Sequence, residues 1–591
     1  MATVLVIGGG IGGMTAAQEL VERGFTVTVC EASAGFGGKA KSQPVPGSGT
    51  GGRRDLPGEH GFRFYPRFYT HIIDTMARIP TSAGKSVADN LRPTTESAIA
   101  SIDQDTWSRF SRKQLSSPME VIESLELFFQ DLDFDPADVG LFTAKFLQFF
   151  ASCDARRLGE YEYTSWYSFA QGDAYSEKFK RQLRAIPRTM VAMDPIIGSA
   201  NTIGVASMQL ILDYATTGVA NDRTMGGPTS EMWLDPWVTH LQNLGVTLVP
   251  NTRCEQLEVA AGQLSGVRFA DGTVRTADYY VLAVPIEIAS PLISPALGAL
   301  DASLEKLRTA NPTSLVSWMN GIQYFLLEDV PIVRGHIFFP DAPWGLTAIS
   351  QAQFWHDGGL MRRRYGDGNV GGILSIDVCQ WDVPGMGTSK TAKQCTPQEF
   401  ADEVWLQLKA SLNGRGVNEQ ILRDELLHSW HLDSEMDYSA GLPPRNRTPL
   451  LVHPPGHWDV RPEAGTSVPN LVLAADYVRT FTNLATMEGA CEAARRACNV
   501  ILDRAASSAP RAGVWPMQEP AFFDSWKKLD EVLYRNNKPH LFELLGIRRA
   551  NNAMDLLRRF RAVTGIEALD DILDQVRASE MLRGLVARLG F

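Results

Sequence analysis

The chain is poor in cysteine, with seven in 591 residues and no CxxC pair. Cys30, Cys153, Cys254, Cys379, Cys395, Cys491 and Cys498 are odd in number and scattered, so neither a disulfide framework nor a zinc site is suggested. A reducing cytoplasm is the simplest expectation. There is no run of about 18 apolar residues, so no membrane-spanning helix is expected. The short apolar stretch at residues 4–7 follows no basic region and runs into glycines, unlike an export signal. An excess of positive charge is missing as well. The 56 basic and 67 acidic side chains leave a net charge of −11, which argues against nucleic acid as a partner. Internal repeats and low-complexity blocks are absent. What remains is an ordinary globular balance, 44% hydrophobic and 21% charged, with length for two to four domains.

The N-terminus carries the clearest pattern. Thr3–Ile7 reads as a buried parallel strand, residues 8–13 as a glycine-rich turn, residues 14–23 as a helix stopped by Gly24, and residues 25–30 as a second strand. Together they form one βαβ unit. Gly8-x-Gly10-x-x-Gly13 fits the dinucleotide pattern: Gly8 for the tight turn, Gly10 for close approach to a pyrophosphate, Gly13 for helix–strand packing. The helix N-terminus, with Ile11 and Gly12, presents free N–H groups and a positive dipole end to phosphate. Glu31, 18 residues after Gly13, suits the two hydroxyls of an adenosine ribose and would repel a 2′-phosphate. A second match, Gly47-x-Gly49-x-x-Gly52, lacks flanking strand and helix and reads as a loop.

Beyond this unit, residues 70–214 read as mainly helical, most clearly at 121–150. Residues 237–244 read as a helix with Asp235 as its N-cap and Pro236 in its first turn. Residues 254–259, 266–269, 273–275 and 279–284 suit an antiparallel meander turning at Asp271-Gly272. Residues 470–475 read as another buried strand and residues 488–501 as a helix. After about residue 511 the spacing of Leu569, Ile572, Leu573 and Val576, and of Leu582, Leu585, Val586 and Leu589, predicts helices with one apolar face. That face is expected to pack on the body. A membrane surface is the alternative, kept open by Arg548, Arg549, Arg558, Arg559 and Arg561.

Four further segments carry a family resemblance. Gly35-Phe36-Gly37-Gly38-Lys39-Ala40 resembles the second glycine motif of the flavin amine oxidase and phytoene desaturase superfamily. Glu59-His60-Gly61-Phe62-Arg63-Phe64-Tyr65 looks like its loop beside the isoalloxazine ring. Residues 225–285 resemble the stretch whose strand meets the adenine, with Cys254 near that contact and Ala283 beyond it. Asn470 to Asp476, followed by Met487-Glu488-Gly489-Ala490, resembles the C-terminal flavin motif, with Ala475 where relatives often have Gly. The resemblance spans residues 3 to about 502 and is nearest the hydroxysqualene dehydroxylase-like and phytoene desaturase-like branch. It implies an α/β fold with an α+β substrate domain: a Rossmann-type FAD-binding domain, a discontinuous substrate domain and a C-terminal helical extension. The expected divisions are FAD-binding parts at 1–85, 221–300 and 446–508, a mostly helical cap at 86–220, a substrate domain at 301–445 and the extension at 509–591. FAD is the implied cofactor. Its implied contacts are Gly8, Gly10, Ile11, Gly12, Gly13, Glu31, Ala32, Gly37, Gly38, Lys39, Ala40, Gly61, Phe62, Arg63, Cys254, Ala283, Asp476, Met487, Glu488 and Ala490.

No metal spacing appears. His428, His431, His453 and His457 lie close in sequence, but the Pro454-Pro455-Gly456 between the last two forbids the helix a metal pair would use. Arg63, His60 and Tyr65 are the candidate catalytic groups, Arg63 for reduced flavin or a polar substrate end and His60 for proton transfer. Amine oxidases of the superfamily usually carry a Lys that holds a water at flavin N5, in a strand corresponding to about residues 312–325. That stretch here has no Lys. Of the family's aromatic position before the Met-Glu-Gly turn only Phe481 is found. The expected activity is therefore hydride transfer between flavin N5 and an apolar, isoprenoid or polyene-like small molecule, by desaturation or reductive dehydroxylation. An amine-oxidase-type enzyme and a flavin-dependent isomerase with no net redox change are the alternatives. The electron acceptor stays open, and the setting expected is cytoplasmic, with peripheral membrane contact through the C-terminal helices as an option.

Overall fold

The computed structural model describes residues 1–81, 84–102, 108–110, 134–191, 193–214, 222–355, 360–413 and 420–544. A five-stranded parallel sheet organises the nucleotide-binding part. Its order is Thr247–Val249, Thr26–Cys30, Thr3–Ile7, Tyr279–Leu282 and Leu471–Leu473. The three central strands are short and β-branched or apolar, and both faces are covered, as parallel sheets require. Registers Ile7↔Cys30 and Ile7↔Leu282 bring Gly8, Glu31 and Ala283 out at one carboxyl edge. The chain leaves Thr3–Ile7 for neighbours on opposite sides, so a crevice opens at that edge.

The helix Ile11–Val21 follows the glycine turn and packs on the helix Met487–Arg504. Close approach is possible because the facing residues are small. A Cβ on Gly12 would stand 2.1 Å from the Ala474 carbonyl oxygen, and Ala493, Ala494 and Ala497 are fully buried. Tyr279–Leu282 is a correction to the expected meander. It crosses back to pair in parallel with Thr3–Ile7, and only Cys254–Ala260, Gln263–Phe269 and Val274–Arg275 form the antiparallel ribbon. Asp235 is not an N-cap either. A π-helical turn, Ser230–Leu234, already leads into Asp235–Asn243, and Trp233 stacks on Trp237 at 5.8 Å.

A seven-stranded sheet stands beside the nucleotide-binding part. Its order is Leu427–Leu432, Asn320–Leu326, Gly372–Val378, Leu346–Ser350, Gly335–Phe339, Glu96–Ile99 and Ser108–Phe110. All neighbours are antiparallel except Gly335–Phe339 with Glu96–Ile99. Two strands from a region that reads as mainly helical thus complete this sheet. Helices follow from residue 136: Pro136–Ala151, Asp154–Gly159, Glu177–Val191 and Ala200–Tyr214 among them. Their aromatic core includes Phe146, Phe149, Phe150 and Trp166, and it is shared with Phe523, Trp526, Leu529 and Leu533 from beyond residue 511. Residues 121–133 lie outside the described residues, as do Leu569, Leu582 and the five arginines from Arg548 to Arg561.

The described part of the C-terminal extension packs on the body, whereas the apolar face of residues 569–589 lies outside the described residues. Its helix Asp524–Arg535 is pinned by Asp530, which accepts from Arg156 Nε at 2.8 Å and from the Cys153 N–H at 2.9 Å. Among the described residues no helix is long and apolar enough to cross a membrane. The second glycine match is a surface loop. Its Thr50 N–H donates to the Gly366 carbonyl at 3.0 Å, and Gly47, Gly51 and Gly52 all take positive φ.

Candidate active site

A cavity of about 610 Å³ runs from the carboxyl edge of the parallel sheet to the face of the seven-stranded sheet. Gly8, Gly10, Ile11 and Gly12 line its first wall. Gly8 has φ +103°, and a Cβ there would meet the Ala283 carbonyl at 2.5 Å, so only glycine makes this turn. Gly13 is not on the cavity. A Cβ on it would lie 1.9 Å from the Gly8 carbonyl, so it serves packing of the helix against the turn. Gly10 differs: the nearest atom to its Cβ position is the Gly38 Cα at 3.8 Å, and what lies before it is open space.

Glu31 stands at the next corner with Ala32. Its carboxylate is held by the Gly9 N–H at 2.7 Å and by the Ser33 N–H and hydroxyl at 2.8 Å. These three bonds leave one of the carboxylate's roughly four lone-pair directions free, so it retains capacity for a ribose hydroxyl. Cys254 lines the same end, and burial pushes its thiol up to about 12, which makes it an inert neutral wall. Gly37, Gly38, Lys39 and Ala40 line the middle; Gly37 and Gly38 both take positive φ. Lys39 Nζ is anchored by Glu287 at 3.2 Å and by the Pro449 carbonyl.

On the opposite side Ala283, Asp476, Met487 and Ala490 face the cavity. Thr486 caps the helix Met487–Arg504, accepting from the Gly489 N–H at 3.1 Å, so a second helix N-terminus points into the same space. Burial raises the Asp476 carboxyl, with Glu287 adding to the rise and Lys39 opposing it. Glu488 departs from expectation. It is buried away from the cavity, and its carboxylate accepts from the N–H groups of Thr70, His71 and Ile72 and from His71 Nδ1 at 2.6 Å. It caps the helix His71–Ala77 instead of meeting the cofactor. The other His71 nitrogen accepts from the Trp515 N–H at 3.0 Å, which fixes the ring tautomer.

The loop after Pro57–Glu59 brings His60, Phe62 and Arg63 to the cavity, whereas Gly61 does not line it. Arg63 donates to the Gly61 and Lys39 carbonyls at 2.9 Å each, and its Nε has no partner. Tyr65 is a correction: it is fully buried, edge-on to Trp233 at 6.0 Å, and turned away from the cavity. Burial raises its phenol, and no acceptor or base lies on its hydroxyl. Phe481 is also off the cavity, half exposed beneath Arg496.

Three polar groups at this end were not legible as site residues. Asp433 accepts from His60 Nδ1 at 2.6 Å, Asn320 Nδ2 at 2.7 Å and Gln43 Nε2 at 2.7 Å. Burial opposes its charge, but the bonds from His60, Asn320 and Gln43 win and hold it down at about 2. Asp377, from the strand Gly372–Val378, lines the cavity and is pushed up to about 7 by burial, with Arg63 opposing and Asp433 reinforcing the rise. His336 is packed among Phe62, Phe64 and Phe338 at 4.1–5.1 Å between ring centres; burial holds it neutral, down at about 3. The one signal for Asp377 is an acid inside the run GILSIDV, which otherwise reads as a buried strand. His453 and His457 lie elsewhere and bond each other, Nδ1 to Nδ1, at 2.9 Å. Among the described residues no three His, Cys, Asp or Glu side chains gather as a metal site requires.

Two helix N-termini on one crevice, a carboxylate at the end of the second strand and open space in front of Gly10 fit a protein of the dinucleotide-binding class. The chain belongs to the flavin containing amine oxidoreductases, whose family model matches residues 11–502. Its cofactor is FAD, and the cavity fits it: the first helix and Gly10 would hold the pyrophosphate, Glu31 the adenosine ribose, and the N-terminus of Met487–Arg504 the flavin end. Similar solved structures include cyclohexylamine oxidase from Brevibacterium oxydans, 15% identical with a TM-score of 0.57, covering 85% of this chain and 99% of that one. Putrescine oxidase is 13% identical with a TM-score of 0.56 over the same shares, and an oxidoreductase from Methanosarcina mazei is 12% identical with a TM-score of 0.52, covering 85% and 100%. At these identities the likeness shows the fold. A carotenoid phi-ring synthase from Chlorobaculum tepidum is 41% identical over 66 residues, which span 11% of this chain and a tenth, 10%, of that protein.

Proposed function

We propose that this FAD-dependent oxidoreductase removes hydride from an apolar, extended substrate of isoprenoid or polyene type, as a desaturase does. The observation that carries the reading is the lining of the cavity beyond the flavin end: Phe62, Phe64, Leu210, Met319, Phe338 and Leu450. Such a wall binds by area removed from water, at about 25 cal/mol per Å². Met319 faces the cavity from the segment where amine oxidases of the family carry their lysine. His336 stays neutral within its aromatic cluster and adds no charge. The partial match to a carotenoid-modifying enzyme points the same way.

Bound FAD supplies the two-electron acceptor. The chain supplies position and electrostatics: Arg63 places a fixed cation at the flavin end, and Asp433 orients His60 through Nδ1 so that its other nitrogen serves the cavity. The test is the visible spectrum of the holoprotein, followed anaerobically as phytoene, squalene, cyclohexylamine or putrescine is added. Bleaching of the flavin band by phytoene or squalene supports the reading. Bleaching by the amines alone replaces it with an amine oxidase.

A further inference from the structure

The seven-stranded sheet delivers one carboxyl to the cavity that the scheme above leaves unused. Asp377 is buried, and its Oδ1 has no hydrogen-bond partner. Two glycine backbones pack against that atom. A Cβ on Gly61 would come within 2.3 Å of Oδ1, and a Cβ on Gly321 within 3.1 Å. A buried acceptor left unpaired is costly, and native structures keep few of them. Here Oδ1 is closed in by the Gly61 and Gly321 backbones while the residue lines the cavity.

Its neighbours divide the labour. Asp433, with three side-chain donors, is a permanent anion and orients His60. Asp377 has no such donors. The groups around it are Arg63, Glu59 and His60 on the flavin loop, Asp433 beyond the strand Leu427–Leu432, Cys379 on its own strand, and His336, bonded to the Thr347 that pairs with Asp377. Burial raises the Glu59 carboxyl and the Cys379 thiol, and His336 is neutral. Arg63 alone favours the Asp377 anion, against Asp433 and desolvation. Two carboxyls driven to opposite protonation states within one site are the mark of an acid–base assignment.

We propose that Asp377 accepts the proton released when this enzyme forms a carbon–carbon double bond. This rests on the desaturase reading. The balance is as follows. One C–H bond breaks with its electron pair, and that hydride is the pair of electrons FAD accepts. The C–H bond on the adjacent carbon breaks, its electrons become the π bond, and its proton goes to a carboxylate oxygen of Asp377. Solvent recovers the proton before the next turnover. A loss of two hydrogens needs such an acceptor, and an apolar chain carries none of its own.

The experiment uses the full-length holoenzyme and Asp377→Asn. The first readout is the infrared spectrum of the oxidised protein against pH, which needs no substrate. A protonated-carboxyl band that titrates near pH 7 and is missing from the variant is expected. A wild-type spectrum with no such band, or one that survives in the variant, overturns the proposal. The second is the rate of anaerobic flavin bleaching by phytoene. It should rise with pH through about 7 in the wild type, while in Asp377→Asn it should be flat and at least about 100-fold slower. Equal rates and equal pH profiles, or a wild-type rate that falls with pH, overturn the proposal. Failure of phytoene and squalene to bleach the wild type is instead failure of the desaturase reading. Flavin content and the far-ultraviolet circular dichroism of the variant separate lost chemistry from lost fold.

Discussion

Replacing Gly10 by alanine isolates the cofactor contact from the fold. Gly10 has φ −76°, a conformation open to any residue, and the nearest atom to its added methyl is 3.8 Å away, an ordinary contact. The apoprotein should therefore still fold, since replacing a glycine by alanine at a helix N-cap costs about 0.5–1 kcal/mol. The methyl projects into the cavity instead. It would push the pyrophosphate off the N–H groups at the start of Ile11–Val21. Losing two charge-assisted bonds at roughly 1.5–3 kcal/mol each costs about 3–6 kcal/mol. At 1.4 kcal/mol per tenfold, the FAD dissociation constant should rise by about 10² to 10⁴. Reconstitution of apoprotein, followed by quenching of FAD fluorescence, measures it, and thermal melting of the two apoproteins controls for folding. Gly13→Ala is the contrast, since its methyl would overlap the Gly8 carbonyl at 1.9 Å. That variant should fail to accumulate as folded protein. A Gly10→Ala protein that binds FAD within threefold of wild type would refute the placement of the pyrophosphate.

Glu488→Ala should unfold the protein more easily by about 3–5 kcal/mol, because three N–H donors lose a buried carboxylate, yet leave the visible spectrum of bound flavin unchanged; urea denaturation and the spectrum check both. Asp530→Asn should loosen the helix Asp524–Arg535 at a cost of about 1.5–3 kcal/mol, since Arg156 loses the charge on one partner and keeps only its pair with Glu160, and limited proteolysis should then trim the chain near residue 520. Asp433, held down at about 2 from an ordinary value near 3.8, adds stability at neutral pH that is lost between about pH 4 and 2; the shift amounts to about 2–3 kcal/mol, absent from Asp433→Asn in acid titrations of stability. Asp377 has the opposite sign. Its raised value means that the folded state keeps a proton the unfolded chain has lost, so stability falls between about pH 4 and 7. Asp377→Asn should therefore gain up to about 4 kcal/mol on wild type at pH 8 and nothing at pH 4.

The nucleotide-binding unit was readable because its signals are local. Strand, glycine turn, helix, strand and Glu31 follow one another within about thirty residues, and each glycine has one steric reason. The strand Tyr279–Leu282 was misplaced because local pattern cannot tell a strand that continues a ribbon from one that crosses to a distant partner. Its three buried apolar residues, Tyr280, Val281 and Leu282, suit a two-sided parallel environment, and burial on both faces is set by Thr3–Ile7 and Leu471–Leu473. Glu96–Ile99 was hidden in the same way, since its partner Gly335–Phe339 lies over two hundred residues on. At the site, the motif loop brings His60 and Arg63 to the cavity but gives no clue that Tyr65 faces inward against Trp233. Glu488 followed the motif by position, while its side chain answers to the helix His71–Ala77. Asp377 and Asp433 come from separate strands of the second sheet and meet only in three dimensions, so no spacing announces them.

The central claim is that this cavity sets an apolar chain against FAD for removal of two hydrogens. The most direct measurement is a single anaerobic turnover of the purified holoprotein with phytoene, with the flavin band and the product's mass recorded together. The account predicts one flavin bleached for each new double bond, with a product lighter by two hydrogens. Bleaching with putrescine or cyclohexylamine and none with phytoene or squalene would contradict it.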